Sequence, residues 1–321
     1  MSFYGSWISK KYIRVIINIL VFLVCACLLY IKIDFLKVVS QTRQVPLYIF
    51  FITVSISIIR TWLSGIRWSI LHPDKNTRLS QWSYFRLSMI AHICNKFMPG
   101  ALGGDIVKTI YAVKENKTRK SKNVIAVLVD RTVGLISIMI FGLIALLPAG
   151  QDLDINVSNL IFLFFVLCCF IIILMSRSVL DLIEKLFAKI GVFYKFFMKV
   201  IKIWRESVDY YRSNTRSVVF SFVLCVPIHF ASFISFYLLS QSLDMQIEFL
   251  EMVFAVALMW LITSLPISVG GLGVRELSLI WLLGLFGVPS EQAVSLSVLS
   301  YINTVIVAII ALPLLVDFRK R

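Results

Sequence analysis

Two proline–glycine motifs lie inside hydrophobic sequence, and ionisable residues follow both of them. Residues 99–104 read Pro-Gly-Ala-Leu-Gly-Gly, and residues 266–271 read Pro-Ile-Ser-Val-Gly-Gly. Proline and glycine break helices, and each backbone group that a break leaves unpaired costs several kcal/mol in hydrocarbon. Such breaks persist only where protein or a polar cavity surrounds them. Two matched breaks therefore predict a binding site of the transporter type at membrane depth.

Five charged residues close to these motifs are candidate site residues: Asp105, Asp130, Arg131, Arg275 and Glu276. A charge at the bilayer centre costs at least about 2.5–3.5 kcal/mol on insertion scales, so such residues usually mark a pathway or a bound charge. Arg131 and Arg275 are the stronger candidates for substrate binding, because a guanidinium group binds phosphate through paired hydrogen bonds. The three carboxylates either carry protons or form structural ion pairs, and both roles stay open.

Local geometry adds three expectations. Asp130 and Arg131 lie about 100° apart on a helix, so they face different partners, and one of them is expected to reach Asp105. Glu276 begins the helix after the second motif, where the helix dipole favours a carboxylate. The motif glycines either present N–H groups to an anionic headgroup or only permit close packing; these glycines are Gly103, Gly104, Gly270 and Gly271.

The composition identifies a membrane protein. Hydrophobic residues make up 59% of the chain and charged residues 15%. Several uncharged runs reach the roughly 20 residues that span a bilayer as a helix, so we predict one all-α polytopic domain over residues 1–321. Crossing helices are expected at about 13–31, 123–148, 156–176, 217–240 and 292–316. The net charge of +15 does not indicate nucleic-acid binding, because the basic residues cluster in particular loops, as the positive-inside rule requires. The cysteines and histidines lack metal-type spacing, so we predict no metal and no cofactor.

Loop charge predicts the orientation in the plasma (inner) membrane. Both termini and the basic segments 114–122 and 177–216 are placed in the cytoplasm, whereas the acidic loops 149–156 and 241–251 face the outside. Segment 177–216 alternates apolar and basic positions. It is expected to form amphipathic helices at the inner membrane surface, bound by apolar burial and by attraction to anionic lipid.

The first two predicted helices are joined by a basic segment. Residues 32–45 are expected to form a short loop, and Pro46 is expected to open the second helix, which returns to the basic region at 60–80. Arg60 and Arg67 are placed near the end of this helix. Their side chains are expected to extend toward the lipid headgroups.

The order of the segments predicts an inverted-topology repeat with two re-entrant helical hairpins. Repeat one covers about 81–148 and repeat two about 249–316, and each consists of a hairpin that carries the motif followed by a crossing helix. The first hairpin enters from the cytoplasm and the second from outside. The two tips are expected to meet near mid-membrane, with Gly104 close to Gly271 and one shared cavity that is faced by Asp105, Arg131 and Arg275.

Three segments carry a family resemblance: Met98–Asp105, Asp130–Leu135 and Leu265–Glu276. Together they resemble the flippase-like membrane region of the lysylphosphatidylglycerol synthase family, over nearly the whole chain. The resemblance implies movement of charged lipids, such as aminoacylated phosphatidylglycerol, between leaflets. Stand-alone members are linked to transport or assembly of other lipids and lipid-linked glycans. The aminoacyl-transferase domain of the full-length synthases has no counterpart in this sequence.

The leading hypothesis is a lipid flippase, not an enzyme, for an anionic or zwitterionic lipid whose phosphate is bound by Arg131 and Arg275. The sequence lacks a Walker-type nucleotide motif, so transport is expected to run downhill or to be coupled to an ion gradient. One alternative is an enzyme or enzyme subunit that acts on a lipid-phosphate by glycosyl or acyl transfer. Another is a membrane partner that recruits a cytoplasmic lipid-synthesising enzyme through 177–216. The sequence does not specify the oligomeric state.

Overall fold

The computed structural model describes residues 27, 29–31, 33–72, 79–97, 103–115, 120–149, 194–265, 268 and 270–319. These residues form helices, and none of them lies in a strand. The helices are α1 (Phe35–Gln44), α2 (Leu47–Leu71), α3 (Gln81–Phe97), α4 (Gly103–Glu115), α5 (Lys120–Ala149), α6 (Tyr194–Ser213), α7 (Thr215–Gln241), α8 (Phe249–Ser264), α9 (Val274–Gly284) and α10 (Ser290–Arg319).

Four of the described helices are long and apolar enough to cross a membrane. They are α2, α7, the Asn123–Pro148 part of α5 and the Ser290–Leu314 part of α10. These segments confirm the helix predicted to begin at Pro46 and the crossing helices predicted at 123–148, 217–240 and 292–316. They fit a multi-pass membrane protein. The predicted crossing helix 156–176, and most of the one at 13–31, lie outside the described residues.

The expected loop at 32–45 is wrong, because most of that segment is helix α1. Asp34 caps the helix, and its carboxylate oxygen Oδ1 accepts hydrogen bonds from the backbone N–H groups of Leu36 at 3.0 Å and Lys37 at 3.3 Å. Val38 is buried in a cluster with Val294 of α10. An N-terminal aspartate and a basic last turn are typical of a helix, so the local signal was present in the sequence.

The second motif breaks the helix as predicted, and glycine makes the break possible. Helix α8 ends at Ser264 and α9 begins at Val274. Between them, Gly270, Gly271 and Gly273 adopt φ values of 61°, 80° and 80°, a region where a side chain is strained. The first break, between α3 and α4, falls on residues 98–102, which lie outside the described residues.

Helix α8 lies at the centre of the largest apolar cluster. Every residue from Met252 to Met259 is buried. The same cluster contains apolar side chains from α2, α5, α7, α9 and α10. A helix that is apolar on all sides fits either a protein core or lipid, and the burial of Met252–Met259 places this part of α8 among other helices.

The packing partners of the first five helices match those of the last five. Helix α2 packs against α3, α5, α7 and α10, while α7 packs against α8, α10, α2 and α5. Helix α3 contacts α4 and α10, and α8 contacts α9 and α5. The contact between α4 and α5 corresponds to the contact between α9 and α10. Likewise, the contact between α1 and α10 corresponds to the contact between α6 and α5. Helix α6 also contacts α7. Exchanging α1–α5 with α6–α10 therefore reproduces nearly the whole set of contacts.

Candidate functional site

A polar cavity, here called cavity A, lies between α2, α7, the second motif and α10. Its volume is about 180 Å³. Two arginines, Arg60 and Arg275, line it together with Gly270 and Gly271. Hydroxyl and amide side chains complete much of the wall, among them Ser57, Ser232, Ser300 and Asn303. Such groups suit a hydrated or anionic ligand, because they provide hydrogen-bond donors where hydrocarbon provides none.

A second cavity, cavity B, adjoins the first. It also measures about 180 Å³, and it is lined by residues of α2, α3 and α4, including Asn95, Asp105 and Lys108. Arg60 and His92 belong to the walls of both cavities. The two cavities are therefore neighbours that meet at these two side chains.

Arg60 occupies the middle of α2, and the expectation that it extends toward the headgroups is wrong. The helix continues to Leu71, so Arg60 lies well inside a 25-residue helix that is about 37 Å long. Its Nη1 atom donates a hydrogen bond to Ser232 Oγ on α7 at 3.2 Å. In the described part of the chain, no carboxylate forms an ion pair with Arg60. Sequence analysis therefore missed it as a site residue, because it placed the end of the helix too early.

Arg275 belongs to a buried network at the start of α9. Its Nη2 atom lies 2.7 Å from Glu276 Oε1, and its Nε atom donates to Ser297 Oγ at 2.9 Å. The guanidinium carbon lies 5.1 Å from the centre of the Tyr301 ring. Glu276 also accepts a 2.6 Å hydrogen bond from the backbone N–H of Gly273, which confirms its predicted place in the first helical turn. Arg275 thus lines cavity A with its charge already balanced.

Arg131 pairs with Asp105, as the geometry of helix α5 predicts for one of the two neighbours. The Arg131 Nη1 atom lies 2.7 Å from Asp105 Oδ2, and the two side chains are 21% and 22% exposed. Asp105 lines cavity B, whereas Arg275 lines cavity A. The expected single cavity is therefore replaced by two adjoining ones.

Asp130 binds two cations in the protein interior. Its Oδ1 atom lies 2.7 Å from Arg67 Nε, and its Oδ2 atom lies 3.7 Å from Lys108 Nζ. The expectation that Arg67 extends toward the headgroups is wrong, because this carboxylate holds it inside. Arg67 also donates to Cys225 Sγ at 3.1 Å, and Lys108 lies 5.2 Å above the ring of Trp68. The cluster ties α2, α4 and α5 together.

The motif glycines lie in different surroundings. Gly103 and Gly104 are the first two residues of α4, and the N–H of Gly104 donates to Asn95 Oδ1 at 2.6 Å. A Cβ atom on Gly104 would lie 2.4 Å from the carbonyl oxygen of Ala91, whereas one on Gly271 would meet only Thr263, at 3.7 Å. Close packing against α3 therefore explains Gly104. Its proximity to Gly271 stays a prediction.

The charges around the two cavities do not cancel. Among the described residues named above, three carboxylates face a larger number of cations: Arg60, Arg67, Lys108, Arg131 and Arg275. This excess of positive charge favours an anionic ligand. Among the described residues, no group of three metal-binding side chains is placed to hold a metal ion.

Comparison with known proteins gives one assignment. No curated protein matches the chain significantly. The family model described as the lysylphosphatidylglycerol synthase TM region matches residues 15–311. The match includes both motifs and every residue that lines cavities A and B. The chain therefore belongs to the family of the lysylphosphatidylglycerol synthase TM region.

Proposed function

We propose that the protein moves a phosphate-bearing lipid between the two leaflets of the plasma membrane, with both termini in the cytoplasm. The observation that carries the proposal is cavity A, a polar and cationic cavity at the middle of a helix long enough to cross the bilayer. A headgroup in this cavity would meet two guanidinium groups and several hydroxyls, while its acyl chains remain in lipid. The family assignment agrees with a role that involves membrane lipids.

The matched packing of α1–α5 and α6–α10 supports an inverted repeat. The hairpin helix of each half packs against the final helix of the other half: α3 against α10 and α8 against α5. The segments after α2 and α7 have similar lengths, at 17, 13 and 30 residues in one half and 16, 11 and 30 in the other. Two related halves around a shared site are the usual arrangement for alternating access.

Helix length supports two re-entrant hairpins. Helices α8 and α9, with 16 and 11 residues, extend only about 24 Å and 16 Å, whereas the hydrocarbon core is about 30 Å thick. Helices α3 and α4 are similarly short, and the two helices of each pair pack against each other. Each pair would therefore enter and leave on one side, with its motif inside the membrane.

The site residues then take separate roles. Arg275, with the N–H groups near Gly270 and Gly271, contacts the phosphate in cavity A, and Arg131 contacts it when the pair with Asp105 opens. Asp105 is the candidate for proton coupling, because it lines a cavity and is partly exposed. Asp130 and Glu276 act as structural charges, because buried cations hold both of them.

Lipid identification followed by a leaflet assay tests the proposal. Mass spectrometry of the purified protein identifies retained lipids, and a fluorescent form of the most abundant one is placed in proteoliposomes. Dithionite then quenches only the outer leaflet, so transport appears as quenching beyond the fraction seen in protein-free vesicles. A quenched fraction equal to that of empty vesicles, for every retained lipid, would reject transport. Formation of a new lipid after addition of activated sugar or acyl donors would favour an enzyme instead.

A further inference from the structure

We propose that the transported lipid carries a net negative headgroup, and that Arg60 is the side chain that selects it. This inference rests on the proposed function and narrows its substrate class. The favoured lipids are those whose phosphate is not balanced by ammonium groups. An aminoacylated lipid, in which added amino groups reverse the headgroup charge, is disfavoured.

The position of Arg60 places it on any route through the site. It lies in the walls of both cavities, so a headgroup that passes from one to the other meets its guanidinium group. The guanidinium group has five N–H donors, and the hydrogen bond found among the described residues goes to Ser232. Donors therefore remain for an anion that enters from either cavity.

Each of the other cations that line the cavities lies beside a carboxylate, although Lys108 shares Asp130 with Arg67. Glu276 lies 2.7 Å from Arg275, and Asp130 lies 3.7 Å from Lys108. Arg60 has no such carboxylate among the described residues. An arginine without a counter-charge in the middle of a crossing helix is unfavourable until an anion binds beside it. The missing counter-charge is the one that the substrate would supply.

An ammonium group, in contrast, finds no available carboxylate. Glu276 Oε1 accepts from Arg275 and from Ser297 Oγ at 2.7 Å, and its Oε2 atom accepts from Gly273. Asp105 is the carboxylate that lines a cavity among the described residues, and it is paired with Arg131. A cationic headgroup would therefore be repelled by Arg60 without a compensating ion pair.

The aromatic wall of cavity A does not change this conclusion. Trp260 lines the cavity and offers a ring face that attracts cations. Phe233 stacks on this ring at 5.6 Å and 24° and covers one face. The cavity that Trp260 lines also contains Arg60 and Arg275, so a cation beside this ring would meet two positive charges.

A charge-selectivity assay tests the inference. Proteoliposomes receive acyl-labelled phosphatidylglycerol, with one net negative charge, or acyl-labelled lysylphosphatidylglycerol, with one net positive charge. The wild-type protein should move the anionic lipid at least about tenfold faster. Arg60→Gln should slow the anionic lipid by about tenfold or more and bring the two rates to within about twofold. Arg60→Lys should keep the preference at a reduced rate, because the charge remains but the planar fork is lost.

Arg216→Gln is the matched control, because Arg216 is an exposed arginine outside both cavities that lies 5.5 Å from the Phe220 ring. Its rates should equal those of the wild type. If Arg60→Gln does not fold, Arg60→Lys carries the test, and loss of its preference for the anionic lipid counts against the inference.

The outcomes separate the inference from the proposed function. Equal wild-type rates for the two lipids overturn the charge selection and leave transport intact. Absence of transport for both of these lipids and for every lipid retained by the purified protein overturns the proposed function. In that case, native mass spectrometry of the purified protein with each lipid decides about the site, and equal retention of the two lipids overturns the inference as well.

Discussion

The two halves place an arginine–carboxylate pair at the same point and hold it differently. Asp105 is the third residue of α4 and Glu276 is the third residue of α9. The first carboxylate pairs with Arg131 on a different helix, and both side chains are about one-fifth exposed. The second pairs with its own neighbour, Arg275, in a buried network that reaches Ser297 of α10. The first pair joins two helices, whereas the second lies within one helix.

The cation also comes from a different element in each half. Arg131 is the twelfth residue of α5, and the twelfth residue of α10 is Tyr301. Arg275 comes from α9, and its guanidinium carbon lies 5.1 Å from the centre of the Tyr301 ring. The second half therefore has a cation, Arg275, beside the position that corresponds to Arg131, although the residue of α10 at that position is a tyrosine. Under the proposed function, we expect the ion pair of the first half to be the one that opens during transport.

Removal of the arginines should give the largest effect and test whether both are needed. Arg131→Ala and Arg275→Ala should each reduce lipid transport by about 100-fold or more, because both remove a charged group from the site. Lysine at either position should restore transport only partly, since an ammonium group lacks the planar fork. Wild-type transport in the double alanine variant would contradict both roles. Arg131→Ala should express normally, whereas Arg275→Ala should give less folded protein because Glu276 loses its buried partner.

Removal of the carboxylates should separate the halves by stability. Glu276→Gln leaves Arg275 buried without a counter-charge, so it should lower the unfolding free energy by about 3–5 kcal/mol. Asp105→Asn breaks a partly exposed pair and should cost about 1 kcal/mol or less. Thermal unfolding in detergent, followed by size-exclusion chromatography, measures the difference. Similar shifts for the two variants would show that the second pair is no more fixed than the first.

Alanine at the motif glycines should test the two kinds of constraint. Gly104→Ala should cost about 1–3 kcal/mol of stability, because its Cβ atom would overlap the Ala91 carbonyl oxygen. Gly271→Ala has space but a φ of +80°, so strain of about 1–2 kcal/mol is expected. Adding Asn95→Ala should not rescue Gly104→Ala, since the main obstacle is backbone. Gly284→Ala is the control, because no atom lies within 4 Å of the added Cβ.

Single-cysteine labelling tests the inversion itself and should leave transport unaffected. In a variant without native cysteines, Thr118→Cys, before α5, should react only from the cytoplasmic side. Pro289→Cys, in the corresponding turn before α10, should react only from outside, as should Asp152→Cys. Labelling of positions 118 and 289 from the same side would indicate a parallel repeat and remove the opposite entry of the two hairpins.

Sequence analysis succeeded where the physical signal is local. The apolar runs gave the crossing helices that the structure describes, and the glycines at 270, 271 and 273 gave the break before α9. The free-energy cost of a charge in a membrane identified Arg131 and Asp105 as candidate site residues, and the structure pairs them with each other. Each of these expectations depends on a pattern within a few residues or on a charge that needs a partner.

The errors arose where a distant partner decides the outcome. Arg67 is held inside by Asp130, a residue 63 positions away in the chain, and no local pattern shows this pairing. Helix α2 also continues to Leu71, so Arg60 lies in mid-helix and lines both cavities. Both arginines were expected to extend toward the headgroups because the helix was expected to end close to them, whereas it continues to Leu71.

The enclosure of α8 has a consequence for how the protein is made. A helix with buried residues on all sides, from Met252 to Met259, gains its surroundings from protein and not from lipid. Its neighbours α5 and α7 precede it in the chain and leave the ribosome first. Both helices are therefore present when α8 enters the membrane. The remaining walls, α9 and α10, follow within a few seconds of synthesis, at the roughly 5–20 residues per second of translation. Chain order thus places α8 beside packing partners that are already synthesised when it enters the membrane.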